Sequence, residues 1–272
     1  MKKLIALLAI TPLIFSFKVV VSIQTLAMIV RPVVGQVTVL VPAGMSPLVW
    51  KPSPQDVREV LSADLFVNTL HWPFERQLAQ RVNSLPEYLP YPPAENVLAD
   101  GLAILRLPNG ELNPHGWWLY APNALLLMHE VASKACMKEP KACPKYLKAL
   151  DEEVKRVKEV LAKCLLNAKA VVSVPAEEYA LASFGIKTTF VLASKGTAVA
   201  VTGYELFRAS KYIKNADLVS VSDLTKDTPV GRTLIMLAKR YHKPIVIIPI
   251  LKFEGDYAQY LSYICNQFPV GR

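Results

Sequence analysis

From Tyr146 to Ala168 the sequence reads YLKALDEEVKRVKEVLAKCLLNA, and this stretch limits the fold more than any other. Leu147, Leu150, Val154, Val157, Val160, Leu161, Cys164 and Leu165 recur at steps of three and four, with Asp151, Glu152, Lys155, Arg156 and Lys158 on the other side. That period is helical. At 1.5 Å per residue such a helix spans about 30 Å, the height of a small domain. It lies between two strongly apolar segments that each look like an α/β unit, so it reads as a spine joining two lobes.

The first unit opens with VVVSI after Lys18, a buried parallel strand, then QTLAMIVRPVVG as a short helix or turn and VTVLVPAG as a second strand. In Ser53-Pro54-Gln55-Asp56, Ser53 suits a helix cap, Pro54 the first turn and Asp56 the third helical position. That helix is expected to end near Ser62, with Asp64 to Asn68 as the third strand. Strand, helix, strand at this spacing signals a parallel sheet. A helix over Pro73–Ser84, a proline-rich loop over Leu85–Pro93 and a strand over Leu102–Leu107, turned by Pro108-Asn109-Gly110, follow. Pro122 opens an apolar helix.

The second unit repeats this order. Ala170–Val174, Thr188–Leu192, Thr197–Val201, Ala216–Val221 and Pro244–Ile250 read as extended segments. Tyr179–Phe184, Glu205–Ile213, Gly231–Tyr241 and Asp256–Cys265 read as helices. The expected fold class is therefore α/β, with two lobes, each holding a small parallel sheet, joined by a long backbone helix. The expected division is 1–17 as a signal peptide or N-terminal anchor, 18–140 as the first lobe, 141–168 as the linking helix and 169–272 as the second lobe.

The leader rests on Met1-Lys2-Lys3 followed by LIALLAITPLIFSF, a positive start and a short apolar core. Export to the extracytoplasmic face of the membrane or the periplasm is the expected localisation. Cys136 and Cys143 flank a short loop that one bridge would close in an exported chain, and no CxxC is present for a zinc finger. The formal net charge of +9 permits attraction to anionic partners. The lysines alternate with glutamates, as in EEVKRVKE, so a solvated surface is expected rather than a nucleic-acid site, and the chain is expected to be monomeric.

Ligands of open parallel sheets bind at the carboxyl ends of the strands. Several polar features fall there: Pro42 to Pro47, His71, His115, Glu177 with Glu178, and Glu254-Gly255-Asp256. As an adjacent pair, Glu177 and Glu178 read as a solvated first helical turn. His129 and His242 read as structural or solvated. His115 is either a metal ligand or a loop histidine packed on Trp117 and bonded to a backbone carbonyl. The chain has no GxSxG, HExxH or GxxxxGK[ST], so the common hydrolase and nucleotide sites lack their signatures and no enzyme is expected.

The stretches VTVLVPAGMSPLVWKPSPQDVREVLSADLFVN, NPHGWWLYAPNA, VVSVPAEEYALASFGI and EGDYAQYLSYICN, with the long helix between the second and third, resemble the metal-binding substrate-binding proteins of ABC importers. These are the group that delivers zinc or manganese. The resemblance covers nearly everything after Lys18. It implies two α/β lobes on one rigid helix, zinc or manganese as transported ligand and a membrane permease as partner. The family's ligands are three histidines and an acid. The first histidine falls on Leu48, the second on His115, with Asn113 in place of the usual aspartate, and the third on Val174, or Pro175 if the alignment slips. The acid falls on Asp256, with Glu254 as substitute, and His71 and Glu177 are further candidates. Leucine and valine have no lone pair to offer a metal. The alternative is a member with a lost metal site that takes a small organic ligand against Met45, Leu48, Trp50, Trp117 and Val174, or acts as an accessory protein.

Overall fold

The computed structural model describes residues 17–86, 101–193 and 201–269. The expected leader, most of the loop over Leu85–Pro93, and residues 197–200 of the segment expected to be extended lie outside them. The first sheet holds β1 (Val19–Val21), β2 (Thr38–Val39), β3 (Leu65–Val67) and β4 (Ser84–Leu85), all parallel, in the order β2-β1-β3-β4. Helices α1 (Gln24–Val34), α2 (Pro54–Leu61) and α3 (Pro73–Ala79) connect them. The second sheet holds β5 (Lys169–Val172), β6 (Lys187–Val191), β7 (Leu218–Ser222) and β8 (Ile245–Ile248), also parallel, in the order β6-β5-β7-β8. Its connections include α6 (Ala176–Ala182), α7 (Gly203–Lys214) and α8 (Pro229–Arg240). Both sheets thus reverse their strand order beside the first strand, which is where open parallel sheets form a crevice.

Between the lobes run α4 (Ala121–Lys138) and α5 (Cys143–Cys164), and α9 (Tyr257–Cys265) returns from the second lobe to pack on α5. The spine helix starts three residues before the sequence pattern does and stops before Ala168. Its buried residues are Tyr146, Leu150, Glu153 and Val157, a stripe at steps of four, three and four. Leu147, in the expected apolar set, is 50% exposed, because α1, α4 and α9 cover only a narrow side. A carboxylate sits inside that stripe. Glu153 accepts from the Ala258 amide at 2.9 Å and from Arg156 at 2.8 Å, and Arg156 donates to both carboxylate oxygens of Asp256 at 2.9 and 2.8 Å. The knot fastens the spine to the start of α9.

Local signals explain most boundaries. Ser53 accepts from the Asp56 amide at 3.2 Å while the Asp56 carboxylate accepts from the Ser53 amide at 2.7 Å, closing the expected cap of α2. Two expectations need correction. The helix over Pro73–Ser84 ends at Ala79, because Ser84 and Leu85 pair with Phe66 and Val67 as β4. Among the described residues the strand expected over Leu102–Leu107 has no partner strand beyond one antiparallel bridge, Arg106 to Leu112. Side chains serve its backbone instead: Asn123 accepts from the Ala103 amide at 2.8 Å and the Tyr179 hydroxyl from that of Leu105 at 3.0 Å. Cys136 and Cys143 are bridged, and Cys164 pairs with Cys265, which the sequence reading did not foresee. This second bond closes a separation of 101 residues and ties the ends of α5 and α9.

The narrow stripe on α5 gives a direct test. Leu150→Ala removes a buried side chain and is expected to cost about 2–5 kcal/mol, whereas Leu147→Ala, three residues away, should change stability by no more than about 0.5 kcal/mol. Urea denaturation midpoints of the two variants check this, and equal losses would show that the wider stripe is buried after all.

Candidate functional site

Two turns each hold a histidine, the first at the end of β3 and the second just after the Arg106–Leu112 bridge. After β3 the chain runs Asn68-Thr69-Leu70-His71, with Leu70 at φ 53°, a left-handed conformation that leucine rarely adopts. The turn is held in place by side chains. The Asn68 side chain accepts from the Leu70 amide at 2.8 Å. Glu75, fully buried in α3, accepts from the Thr69 amide (3.0 Å) and hydroxyl (2.5 Å), the His71 amide (3.0 Å) and the Trp72 amide (3.0 Å). Burial raises the Glu75 carboxyl above its usual range, against the lowering effect of those donors. The second turn is Asn113-Pro114-His115, where the buried Asn113 side chain accepts from the His115 amide at 3.0 Å. Trp117 joins the two turns by donating its indole N–H to the Thr69 carbonyl at 3.1 Å.

The rings meet. His115 Nδ1 stands 3.1 Å from His71 Nε2, a hydrogen-bond distance whose donor is set by the ring tautomers, and the imidazoles pack edge to face at 4.6 Å. His71 also packs on Trp72 at 4.4 Å. Burial, then the neighbouring His115 and Arg76, pulls the His71 imidazole down to about 4, and burial lowers His115 as well. Both rings are neutral at pH 7 and keep lone pairs to offer. Two nitrogens bound to one tetrahedral zinc at about 2.05 Å stand about 3.3 Å apart, close to the separation found here. His115 therefore sits against His71, with its amide held by Asn113.

Helix α6 of the second lobe packs directly on the Asn113–Gly116 turn. Glu177 and Glu178 are both buried, which corrects the reading of a solvated helical turn. They point to different networks. Glu177 accepts from the Ser173 amide at 3.1 Å and from the Ser173 hydroxyl, which also lies 2.6 Å from Thr225 Oγ1. Glu178 accepts from the Asn113 side-chain amide at 2.8 Å, and that same amide donates to the Pro175 carbonyl at 2.9 Å. Desolvation raises both carboxyls from 4.5 to about 7, partly offset by these donors. The Tyr179 hydroxyl donates to the Asn113 carbonyl. Gly116 packs so closely on α6 that a β-carbon there would meet Ala176 Cα at 2.7 Å.

The other candidates lie elsewhere. Asp256 caps α9, accepting from the Gln259 amide at 2.8 Å, and is paired with Arg156; Glu254 pairs with Lys252 at 2.6 Å. Asp256 lines a cleft with Arg31, Glu152, Glu153 and Arg156, and no described contact joins it to His115. Leu48 is 61% exposed, whereas Trp117 and Val174 are core residues, so the five apolar residues named for an organic ligand do not share one wall. Among the described residues no three His, Cys, Asp or Glu side chains converge to hold a metal ion. Sequence reasoning ranked His71 below His115 and Asp256 and missed Glu75. The available signal was the placement of His71 directly after a strand, with an acid four residues on to hold its amide.

Two parallel-sheet lobes clasped by helices, with the turn after β3 and the Asn113 turn of the first lobe meeting α6 of the second, make the bilobed architecture of a solute-binding protein. Residues 19–263 match the family of zinc-uptake complex component A, periplasmic, and the chain belongs to that family. It is a non-catalytic binding component of the ABC-importer type, as its sequence resemblance implies. No curated protein matches it in sequence. Among solved structures it is similar to ZnuA (TM-score 0.67, 16% identity, 92% of this chain and 95% of that one). It is also similar to the Mn-bound periplasmic metal-binding protein of Candidatus Liberibacter asiaticus (0.68, 16%, 92% and 97%). The binding protein FpvC of Pseudomonas aeruginosa in complex with Mn2+ is a third (0.67, 16%, 92% and 97%). At these identities the likeness speaks for the fold.

Two measurements test this account. A carboxyl raised from 4.5 to about 7 in the folded state holds a proton that the unfolded chain releases, so its contribution to stability is complete below pH 4.5 and is lost as pH rises through 7. Glu177→Gln removes that dependence. The stability of the parent relative to the variant should fall between pH 4.5 and 8 by up to about 3 kcal/mol, read from urea unfolding at each pH; a flat difference would refute the raised carboxyl. Taking the difference also cancels His71, whose depressed value acts in the opposite direction. Gly116→Ala should cost about 1–3 kcal/mol, because its φ of +84° and the contact with Ala176 both exclude a side chain. Thermal unfolding of that variant gives the answer.

Proposed function

We propose that this protein captures one divalent metal ion, zinc or manganese, between its lobes and passes it to the membrane permease of an ABC importer. In this reading residues 1–17 direct export, residues 18–140 and 169–272 are the two jaws and 141–168 connects them. The observation that carries it is the His71–His115 pair, two neutral imidazoles whose facing nitrogens are 3.1 Å apart. Family membership supplies the context.

His115 and His71 are the proposed protein ligands, with water completing the shell. When an ion enters, the N–H shared by the rings shifts to the far nitrogen of one of them, leaving both facing lone pairs on the metal without net proton release. Glu177 and Asp256 remain candidates only at the expense of their present partners, since Ser173 holds the first and Arg156 and the α9 cap hold the second. Glu254 would likewise have to leave Lys252. With two imidazoles and water the site favours ions that accept nitrogen donors, and affinity rests on the pair as a unit.

The test is calorimetric titration of the metal-stripped protein with zinc and with manganese, beside His71→Ala and His115→Ala. One-to-one binding is expected, weakened by more than about 100-fold in either variant, since losing even an outer partner of a metal ligand typically costs about 10–100-fold. Absence of stoichiometric binding by the parent would mean that the fold has outlived its metal and that the organic-ligand or accessory reading should replace this one.

A further inference from the structure

Helix α7 carries an aromatic and cationic face unlike the rest of the surface. Tyr204 and Phe207 are each 69% exposed, and Arg208, Lys211, Tyr212 and Lys214 are exposed beside them. At 100° per residue these six fall within about 160° of the helix circumference. The opposite side, Ala209 and Ile213, is buried against the lobe. The rings and cations are interleaved. Arg208 lies over Tyr204 at 5.8 Å and over Phe190 at 5.1 Å, and Phe190 stacks on Tyr212 at 4.9 Å. At the end of the helix Lys214 lies 5.7 Å from the ring of Tyr241, and Arg240, at the end of α8, lies 5.8 Å from the same ring.

The charges within this face, on Arg208, Lys211 and Lys214, are all positive. The acid within α7, Glu205, is engaged in the helix cap, accepting from the Thr202 amide at 2.7 Å and hydroxyl at 2.8 Å. Cations that rest on exposed rings are suited to a boundary where one side is anionic and polar and the other apolar. Rings such as Tyr204 and Phe207 enter the headgroup layer while arginine and lysine contact phosphates. The cations of α5, by contrast, alternate with acids and carry no exposed ring between them.

We propose that the exposed face of α7, extended by Arg240 and Tyr241, docks on an anionic lipid surface, holding the binding protein against the membrane through phosphate headgroups. This surface is separate from the histidine pair, and the inference does not depend on metal capture. It adds a lipid partner to the permease.

The experiment is co-sedimentation of the exported protein with vesicles of phosphatidylcholine alone and of phosphatidylcholine with phosphatidylglycerol. The readout is the binding that anionic lipid adds over neutral vesicles, so that any affinity of the N-terminus for bilayers cancels. An increment that falls with added salt is expected. Arg208→Ala with Lys211→Ala should reduce it about 25-fold, at about fivefold per cation, and Phe207→Ala should reduce it as well. Lys155→Ala with Lys158→Ala, two exposed cations of α5, should leave it unchanged. Circular dichroism confirms that each variant is folded. The proposal is overturned if anionic lipid adds nothing, if the α7 variants bind like the parent, if the α5 pair costs as much as the α7 pair, or if this face still binds a single-stranded oligonucleotide at a salt concentration that abolishes the anionic-lipid increment.

Discussion

The buried side chain of Asn113 is bonded to both lobes at once. Its oxygen fixes the backbone of His115, while its nitrogen reaches the Pro175 carbonyl and the Glu178 carboxyl across the seam. Around it the Tyr179 hydroxyl bonds the Asn113 carbonyl and the Leu105 amide, and Gly116 lets α6 approach. A buried amide left half-paired would cost more than its bonds contribute. The position of His115 is therefore inseparable from the way the lobes meet. An aspartate there, which the family resemblance leads one to expect, would have no N–H to give Pro175 or Glu178.

The same economy appears in the carboxylates. Glu75, Glu153 and Glu177 are buried, each accepting backbone or hydroxyl donors that fix a turn or a helix start. Buried acids are tolerated where donors surround them and where the carboxyl can hold a proton. Their raised affinities for protons and the lowered affinity of His71 pull stability in opposite directions as pH changes. The turn that holds His71 is stable because Glu75 closes it, and the strained Leu70 is held there by four donors on one carboxylate.

Much of this fold was legible in the sequence, because periodicity reports burial. The βαβ order, the spine and the cap at Ser53 all follow from local pattern. What local pattern could not show was which part of an apolar stripe is covered. Leu147 and Leu150 look alike in sequence, yet only the second faces α1, α4 and α9. Nor does periodicity reveal that Glu153 lies inside that stripe, since a charge is read as a solvent mark until its partners are known. The site was harder still. His115 was marked by its place in a motif, but its nearest donor, His71, lies 44 residues earlier on another turn, and only the meeting of β3 with the Asn113 turn brings them together. Asp256 was marked in the same way, and local pattern gives no sign that Arg156, 100 residues earlier, engages both its oxygens.

The seam also bears on how a ligand could enter. Leu119 accepts from the Tyr257 hydroxyl at 2.9 Å and Ser183 accepts from the Ala121 amide at 2.9 Å, adding to the Asn113 bonds and the Gly116 contact. Hinge closure requires a few residues able to absorb large dihedral changes. Here the lobes are joined by a continuous α5, braced by the Arg156 knot and by the Cys164–Cys265 bond. Rotating one lobe would break several buried hydrogen bonds together. A change of ring tautomer or rotamer at His71 and His115 breaks one, so rearranging the pair disturbs fewer buried bonds than rotating a lobe does.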